Sequence, residues 1–568
     1  MPKPLAAVLL FVALSPPPPA LAEDAAEPKG EVVAPQLFRL GEETPARQAQ
    51  LAQHYGEQLL GEFRLHLDTN ALIGTARSAA IREGEPLRRP ISGLRFQVDL
   101  PFSKPGRWLS LDTVRESDDG VITWSGTLDG DASSLITLSL QGEALLGRIL
   151  TEGVTHILQG EEGSDYRLSV VDSARLPQLP EDGPVMTRKF GPTPAGLRDF
   201  APRLAKQTPS ASAKSTGSGN VRLLVLYTQA VAARNNVSLL ANDIVAQFNQ
   251  SLASSGVGSS RYLSLAGFEL LASAQTENHN LSASGGRCRD EIRELIGDNS
   301  SPLNGLQVRR AAYAADVILL LISTESSYGD CHPTLGRIGG VATDLGEGAP
   351  SIAISTDTYA LGDLTALHEM GHVLGGYHED ISGYPNPNDA RGFYEHQGAL
   401  KLCGWQTMMG GYVECTFNTS QPNPALQPTV RLPRWSNPNQ SHLGRPLGDG
   451  GHNMSRALDD DLMPAASGWV AEPTPPAAPP STINLYPMCF GNAEVAWSSV
   501  SGASYYRLFR SSSSTFSNQV LAFEGGATFA FVNVGTSTPT YLRVQACNAG
   551  GCSGFGSPIS GVGYSGCP

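Results

Sequence analysis

Three histidines and one glutamate lie within a short segment near the middle of the chain. The segment reads His368-Glu-Met-Gly-His-Val-Leu-Gly-Gly-Tyr-His378. On an α-helix, His368 and His372 occupy positions i and i+4, so both imidazoles project from one face and can bind one metal ion. Glu369 follows the first histidine and lies close enough to take a proton from a water molecule on that ion.

A third ligand requires the chain to turn, because the helix cannot supply it from its next turn. Gly375 and Gly376 provide the break, since glycine adopts the positive φ that ends many helices. His378 then reaches the site from the turned chain. Three neutral imidazoles leave one position of a tetrahedral zinc ion open, which is the composition of a catalytic zinc site.

We therefore predict one zinc ion held by His368, His372 and His378, with Glu369 as the general base. Two other interpretations stay open. The histidines could simply pack or cap a helix, or the site could hold zinc without catalysis. A zinc site without catalysis normally lacks the glutamate, whereas Glu369 is present here. A structural calcium ion is left open by the sequence.

The elements that must position this segment alternate between strands and a helix. Leu361, Leu364 and Leu367 carry helical spacing into it. Ser238 is predicted to cap a helix whose apolar face includes Leu240 and Phe248. Strands are predicted at Val221–Tyr227, Tyr262–Leu271, Val317–Ser323 and Ser351–Ser355, with a further helix near Arg289–Ile296. This alternation predicts a mixed, twisted sheet covered by helices over residues 220–470. Beyond residue 380, the Gly-, Pro- and Asn-rich chain is expected to be irregular.

The regions on either side have a different composition. Residues 23–186 carry short alternating runs such as Leu94–Leu100 and Leu135–Leu140, which predict a β-rich region. Residues 187–219 shift to Pro, Ala, Ser and Gly and predict an exposed linker with a processing site. Residues 471–480 form a stiffer Pro-rich linker, and 481–568 show the short strands of a β-sandwich.

Composition narrows the class of partner and the compartment. The chain has 568 residues, 40% of them hydrophobic and 17% charged, and a net charge of −14. That acidity argues against nucleic acid or anionic membranes as partners. Lys3, the apolar run Leu5–Leu14 and Ala20-Leu-Ala22 are typical of a signal peptide at residues 1–22, so we predict secretion. No segment is long enough to predict a membrane span.

The eight cysteines are divided evenly between two regions. Cys288, Cys331, Cys403 and Cys415 precede the Pro-rich linker, and Cys489, Cys547, Cys552 and Cys567 follow it. This division indicates two independent disulfide sets. Four cysteines allow three pairings, and we favour Cys403–Cys415 and Cys547–Cys552 because they are closest in sequence.

The histidine segment resembles the zinc motif of the metzincin metallopeptidases, and its surroundings look most like the reprolysin-like (adamalysin-type) bacterial branch. In that family a methionine lies in a tight turn beneath the metal. Here Trp405-Gln-Thr-Met-Met-Gly-Gly-Tyr412 is similar to that turn, with Met409 as its methionine and Met408 as the alternative. Arg434-Trp-Ser-Asn-Pro438 is similar to the segment that follows the family's specificity pocket. Glu379 departs from the aspartate usual in the branch.

The resemblance implies a secreted zinc endopeptidase with protein or peptide substrates and a zinc cleft in an α/β domain. It implies that residues 23–186 are a propeptide, with a permanently attached accessory domain as the alternative. No cysteine precedes Cys288, so a propeptide thiol cannot block the zinc. The family binds substrate as an added antiparallel strand, and Gly336–Ala342 is our candidate for the edge strand, an ordinary loop being equally open.

Residues 481–568 resemble a fibronectin type III module. Val495-Ala-Trp497, Tyr505–Phe509 and Tyr541–Gly550 are similar to its B, C and F strands, with Trp497 in the core. Such a module would bind an extracellular ligand or act as a spacer. A rival interpretation therefore makes the chain a zinc-bearing adhesion or matrix-binding protein. A second rival is a metal-dependent hydrolase that acts on something other than peptides.

Overall fold

The N-terminal region forms a single antiparallel sheet of nine strands among the described residues. The computed structural model describes residues 37–44, 55, 58–67, 69, 72–73, 89–117, 119–151, 153–160, 166–175, 219–271, 306–323, 340–342, 351–378, 394–397, 402–410, 430–467, 469–470, 475–503, 505–548 and 551–566. The strands are β1 Phe38–Thr44, β2 Leu59–Leu67, β3 Arg89–Val98, β4 Arg107–Glu116, β5 Ile122–Leu128, β6 Asp131–Gln141, β7 Ala144–Thr151, β8 Val154–Gly160 and β9 Tyr166–Asp172. Their order is β1-β2-β9-β8-β7-β6-β5-β4-β3. The β-rich character predicted for this region is confirmed.

Residues 219–378 contain a second sheet and the helices packed on it. The elements are β10 Asn220–Tyr227, α1 Gln229–Arg234, α2 Val237–Ser254, β11 Tyr262–Leu270, α3 Leu306–Ala312, β12 Val317–Ile322, β13 Gly340–Ala342, β14 Ile352–Thr356, α4 Asp357–Gly362 and α5 Thr365–Val373. The order is β11-β10-β12-β14-β13, with β13 antiparallel to β14 and the other pairs parallel. The four predicted strands are thus present, and the sheet is mixed. We call it the central sheet.

The central sheet is buried on both faces, which explains why β12 is an uninterrupted apolar run. Alternate residues such as Leu223, Leu319 and Ala353 lie in one hydrophobic cluster with α2, α4 and α5. Their neighbours, such as Leu224 and Ile318, lie in a different cluster that includes Tyr505 and Cys547 of the C-terminal region. The two-residue periodicity of a strand therefore divides this apolar run between two cores.

The start of α2 corrects one prediction. Its N-cap is Asn236, whose side chain accepts a hydrogen bond from the Leu239 amide. Ser238 instead lies inside the first turn, and its hydroxyl donates to Asp119 Oδ2 at 2.5 Å. Both asparagine and serine are good caps. The hydrogen bond from Ser238 to Asp119 engages the serine elsewhere, and Asn236 caps the helix instead. The local sequence does not reveal that contact.

The described residues between 394 and 466 are less irregular than predicted. They include β15 Tyr394–Gln397, β16 Leu402–Gln406, β17 Val430–Arg431, β18 Asn437–His442, β19 Arg445–Leu447, α6 Met454–Ala457, a π-helical turn Leu458–Leu462 and α7 Met463–Ala466. The helical stretch Met454–Ala466 was missed because its apolar residues are buried by tertiary contacts rather than arranged in a long periodic run. The signal peptide, residues 187–218 of the first linker and the helix proposed near 289–296 lie outside the described residues.

The C-terminal region is a sandwich of two small sheets, as predicted. Its strands are β20 Ile483–Pro487, β21 Asn492–Trp497, β22 Tyr505–Ser511, β23 Val520–Gly525, β24 Phe529–Asn533, β25 Thr540–Asn548, β26 Gly551–Cys552 and β27 Ile559–Gly561. One sheet has the order β20-β21-β24, and the other β23-β22-β25-β26 with β27 also on β25. Trp497 is buried in the core between them. Cys547 and Cys552 form a disulfide, which confirms one favoured pair, whereas Cys415 lies outside the described residues.

The sandwich packs directly on the central sheet. Tyr505 stacks on Tyr313 with ring centroids 4.6 Å apart. The buried Glu524 forms an ion pair with Arg507 at 2.5 Å and accepts a hydrogen bond from the Phe268 amide of β11. The region that follows the second linker is therefore part of the packing of the central sheet.

The buried carboxylate of Asp316 connects the beginning and the end of the segment formed by residues 219–470. Asp316 accepts hydrogen bonds from the amides of Arg222 at 2.9 Å and Val470 at 3.2 Å. Burial raises the pKa of Asp316 to about 6, and these hydrogen bonds and the Arg222 guanidinium only partly oppose it.

We predict that Asp316 makes the protein less stable as the pH rises from about 4 to about 6. The folded-state pKa of Asp316 lies above the unfolded value of 3.8, so the folded state binds the proton more tightly. Protonation of Asp316 therefore stabilises the fold fully below pH 3.8, and this stabilisation is lost as the pH rises through about 6. The difference corresponds to about 3 kcal/mol. Urea titrations at pH 4, 5, 6 and 7 measure the free energy of unfolding. Its fall with pH should be absent in Asp316→Asn and present in Asp460→Asn, a control at an exposed residue. An unchanged pH profile in Asp316→Asn would contradict the prediction.

Candidate metal centre

Helix α5 ends where the sequence places its two glycines. Gly375 has φ 106°, in the left-handed region, and its amide donates to the His372 carbonyl at 2.8 Å. The Gly376 amide donates to the Gly371 carbonyl at 2.8 Å. This pair of bonds is the Schellman motif, in which a glycine-type backbone closes the helix end and turns the chain. The turn brings His378 back toward the helix.

The three histidines meet at one point. The Nε2 atoms of His368 and His372 are 3.0 Å apart, those of His372 and His378 are 3.0 Å apart, and those of His368 and His378 are 3.1 Å apart. All three residues are buried. They form a cluster whose ligand atoms could hold one metal ion. The arrangement is the one predicted from their spacing.

Two backbone carbonyls determine which ring nitrogens carry protons. His368 Nδ1 lies 2.6 Å from the Met408 carbonyl, and His372 Nδ1 lies 2.7 Å from the Gly376 carbonyl. A carbonyl oxygen only accepts, so each Nδ1 must donate. In the neutral rings Nε2 is then unprotonated and presents its lone pair to the centre. Sequence analysis missed both carbonyls, because backbone atoms leave no signal in residue type.

The rings are kept neutral by their surroundings. Burial lowers the pKa of His372 to about 4, against the raising effect of the Gly376 carbonyl. Burial, and then the neighbouring histidines, lower the pKa of His368 and His378 well below the usual range. Neutral imidazole is the form that binds metal.

The site residues fit a zinc ion. Nitrogen ligands about 2.0–2.1 Å from zinc lie about 3.3–3.4 Å from one another at tetrahedral angles. The three Nε2 atoms are slightly closer than that, at 3.0–3.1 Å. The lone pairs of His368 and His372 Nε2 converge with His378 Nε2 at this spacing, so one cation could be bound by all three nitrogens. Backbone carbonyls that accept a hydrogen bond from Nδ1 are also common partners of metal-binding histidines.

A buried methionine lies beneath the helix. A Cβ atom built on Gly371 would collide with Met409 Sδ and would be 2.9 Å from the Trp435 ring. A Cβ on Gly376 would be 3.2 Å from Met409 Cε. Met409 therefore occupies the space that the two glycines leave open, and the adjacent Met408 supplies the carbonyl to His368.

The Arg434–Pro438 segment forms hydrogen bonds both to the turn that contains Met408 and Met409 and to the C-terminal end of α2. The Met408 amide donates to the Arg434 carbonyl at 2.7 Å. Trp435 donates from its amide to Ser255 Oγ at 2.8 Å and from Nε1 to Ser251 Oγ at 3.0 Å. The Met454 amide donates to Ser436 Oγ at 2.8 Å, which joins α6 to the same segment.

Glu369 lies against the edge of the central sheet. The glutamate is buried, and a Cβ built on Gly340 would be 2.6 Å from its Cγ and 2.9 Å from its Oε1. Gly340 begins β13, the antiparallel edge strand, which pairs with β14 from Gly340↔Ser355 to Ala342↔Ala353. Part of the predicted edge segment is thus a strand beside Glu369, while residues 336–339 lie outside the described residues.

The comparisons with known proteins support a metallopeptidase. No family model matches the chain. A peptidyl-Asp metalloendopeptidase of Stenotrophomonas maltophilia (strain K279a) is 27% identical over 372 residues, which cover 65% of this chain and 78% of that protein. A peptidyl-Asp metalloendopeptidase of Xanthomonas campestris is 27% identical over 331 residues, covering 58% and 68%. This similarity supports a zinc endopeptidase in general terms.

The similar solved structures cover a small part of this chain. A Fn3-like protein from Clostridium thermocellum has a TM-score of 0.14 and 21% identity, covering 15% of this chain and 90% of that one. A fibronectin type III domain of human fibronectin type III domain containing protein 3 has a TM-score of 0.15 and 19% identity, covering 17% and 92%. These scores assign no fold, so the fibronectin type III identity stays a prediction.

We predict that the purified chain binds one zinc ion at the histidine cluster. Metal analysis should show one equivalent, 1,10-phenanthroline should remove it, and His372→Ala should lower zinc affinity by at least about 100-fold because one of three ligands is lost. His452→Ala is the matched control, since His452 lies outside the cluster and pairs with Asp449. Full zinc content in His372→Ala would refute the site.

Proposed function

We propose that this chain is a secreted zinc endopeptidase of the metzincin group, in its reprolysin-like branch. The observation that carries the proposal is the meeting of three neutral, buried Nε2 atoms beside a buried glutamate at the edge of a mixed sheet. The methionine below the helix and the similarity to metalloendopeptidases support the same function. None of the described helices is long and apolar enough to cross a membrane.

The chemistry assigns one role to each group. His368, His372 and His378 would hold the zinc ion, which supplies Lewis acidity and lowers the pKa of bound water toward about 7. Glu369 accepts the proton of the attacking water and later delivers it to the departing amine. The Met408 and Gly376 carbonyls hold two imidazoles in the tautomer that leaves Nε2 free to bind.

Substrate would bind alongside β13. An edge strand can pair with an extended peptide through backbone hydrogen bonds, as in β-strand addition. β13 is the terminal strand of the central sheet, and its first residue lies against Glu369. A peptide added there would therefore run past the proposed general base. Because the similar proteins are named for action at aspartate, we extend the proposal to peptide bonds next to aspartyl residues.

Glu369→Gln is expected to lower kcat by about 10²- to 10⁴-fold, because glutamine cannot accept the proton. Zinc content should stay at one equivalent. The assay uses fluorogenic peptides that contain aspartate and counterparts with asparagine in its place, which report whether the substrate carboxylate matters. Faster cleavage of the asparagine peptides would contradict the proposed substrate class.

The same variant separates this proposal from its rivals. A zinc-bearing adhesion protein would keep its extracellular binding in Glu369→Gln and would cleave no peptide in the wild-type form. A hydrolase acting on other bonds would also leave every peptide in the library intact. Wild-type protein that contains zinc and cleaves no peptide would therefore overturn the peptidase assignment.

Gly340→Ala should impair catalysis without removing zinc. The new methyl group would lie 2.6 Å from Glu369 Cγ, so the glutamate or the edge strand must move. We expect kcat/KM to fall by at least about tenfold, since small displacements of a catalytic group are costly. Gly450→Ala is the control, because no described atom lies within 4 Å of its new Cβ. Equal activity in the two variants would show that Glu369 does not depend on a glycine there.

A further inference from the structure

The three-stranded sheet of the C-terminal sandwich, β20-β21-β24, carries large aromatic side chains on its outer face. Phe529 is 47% exposed and Phe531 is 62% exposed, whereas Ala530 and Val532, which alternate with them along β24, are buried. Tyr486 of β20 is 53% exposed. Strand β24 therefore points its smaller residues into the core and its aromatic rings outward, which is the reverse of what burial of apolar area favours. This arrangement needs a reason other than stability.

The exposed apolar side chains of the described part of the chain are concentrated at this sheet. Eight large hydrophobic residues are exposed, and six of them lie on the sheet or at one end of it, namely Tyr486, Met488, Phe490, Phe529, Phe531 and Tyr564. Hydrogen bonds hold that end together, because the Tyr564 amide donates to the Met488 carbonyl and the Gly491 amide donates to the Tyr564 carbonyl. A cluster of exposed apolar side chains on one surface marks a site of interaction.

The strand register places aromatic rings on both sides of a carboxylate. Tyr486 is opposite Glu494, and Glu494 is opposite Phe531, so the three residues form one row across the sheet. The next row on the same face consists of Asn484, Ala496 and Phe529. Directly opposed side chains have Cβ atoms about 4.5–5.5 Å apart. The residues on β20 and β24 therefore form the walls of a shallow groove with β21 as its floor, which we call the outer groove.

The floor of the outer groove carries an uncompensated negative charge. Glu494 and Glu524 are the only acidic residues between 481 and 568. Glu524 is buried in its ion pair with Arg507, whereas Glu494 is partly exposed and forms no ion pair with any residue that the structure describes. Arg510 reaches the far edge of β24, but it donates to a backbone carbonyl there. The charge of Glu494 is therefore available to a cation from outside.

The width of the groove limits what it can hold. The strands have five or six residues each, so the face covers roughly 10 Å by 17 Å. A stable dimer buries about 800 Å² on each partner, which this face cannot supply alone. Anionic polymers are disfavoured by Glu494 and by the net charge of −14. A single extended chain with positive charge is the occupant that fits both the width and the sign.

We propose that the outer groove binds an extended, cationic peptide segment of a protein partner, with a lysine or arginine side chain over Glu494 between Tyr486 and Phe531. The carboxylate supplies the opposite charge. Aromatic rings attract a cation within about 6 Å of their centroids, and two rings lie next to Glu494 in its row. Phe529 offers an apolar surface to the methylene stem of the same side chain. The groove belongs entirely to the sandwich, so this inference goes beyond the proposed function and does not depend on it.

The first experiment measures peptide binding to the full-length Glu369→Gln chain, in which we expect peptides to stay intact. Fluorescence anisotropy compares a Gly/Ser peptide that has lysine at alternate positions with the same peptide made with acetyl-lysine, which lacks the charge. The lysine peptide should bind at least about tenfold more tightly at low salt. Its affinity should fall as salt is raised to about 0.5 M, because salt screens exposed charges. Equal affinity for the two peptides would overturn the proposal.

The second experiment uses variants to locate the bound peptide. Glu494→Gln should weaken binding of the lysine peptide about fivefold, because it removes the charge at nearly constant volume. Phe531→Leu should weaken it about threefold, because an aliphatic side chain has no ring to attract the cation. The controls are Asp460→Asn and Phe102→Leu, which remove an exposed carboxylate and an exposed ring elsewhere. Both should change Kd by less than about twofold. Unchanged affinity in Glu494→Gln and Phe531→Leu would contradict the assigned groove.

A location measurement makes the test independent of any substitution. A lysine peptide with a photo-crosslinking group should label β20, β21 or β24, and labelling confined to other segments would refute the site. Two other occupants are also tested. Sedimentation velocity that shows a dimer dissociated by Phe531→Leu would assign the face to a second copy and overturn the proposal. Binding of a neutral oligosaccharide at this face, with no binding of the lysine peptide, would overturn it as well.

Discussion

The convergence of three buried imidazole Nε2 atoms is the constraint on which the site depends. The two backbone carbonyls place the protons of His368 and His372 on Nδ1, so their Nε2 atoms face the centre unprotonated. Burial keeps the rings neutral, so protonation does not relieve the crowding. A cation at the centre would satisfy these lone pairs, and the surrounding structure must hold the three rings in place to bind it. Several nearby elements of the structure hold the three rings in place.

The support comes from several directions. The Schellman turn at Gly375 returns the chain to the site, and Met409 fills the space below the helix that Gly371 leaves. Trp435 joins the methionine turn to α2 through two serines. Helix α2 in turn packs between two sheets. The position of α5, which carries His368 and His372, is therefore coupled to regions distant from it in sequence.

Burial of the central sheet on both faces links all the regions of the chain. One face carries the helices and, beyond α2, the N-terminal sheet, while the other carries the C-terminal sandwich. Parallel strands with two apolar faces require such cover. The C-terminal region therefore covers one face of the central sheet, whether or not it binds a ligand. Its buried pair Arg507–Glu524, which also meets β11, shows how closely the regions are joined.

The sequence by itself determined the elements and the chemistry of the centre. The strands of the central sheet, the bend at Gly375 and the convergence of His368, His372 and His378 follow from spacing, because side-chain period and glycine conformation are local properties. It could not give the cap of α2, the helical stretch Met454–Ala466 or the carbonyls of Met408 and Gly376. Those depend on backbone atoms and on contacts between distant residues. Only the tertiary structure decided that Arg148, nearly a hundred positions before Asp243, is paired with it, because burying a charge depends on what the whole fold places beside it.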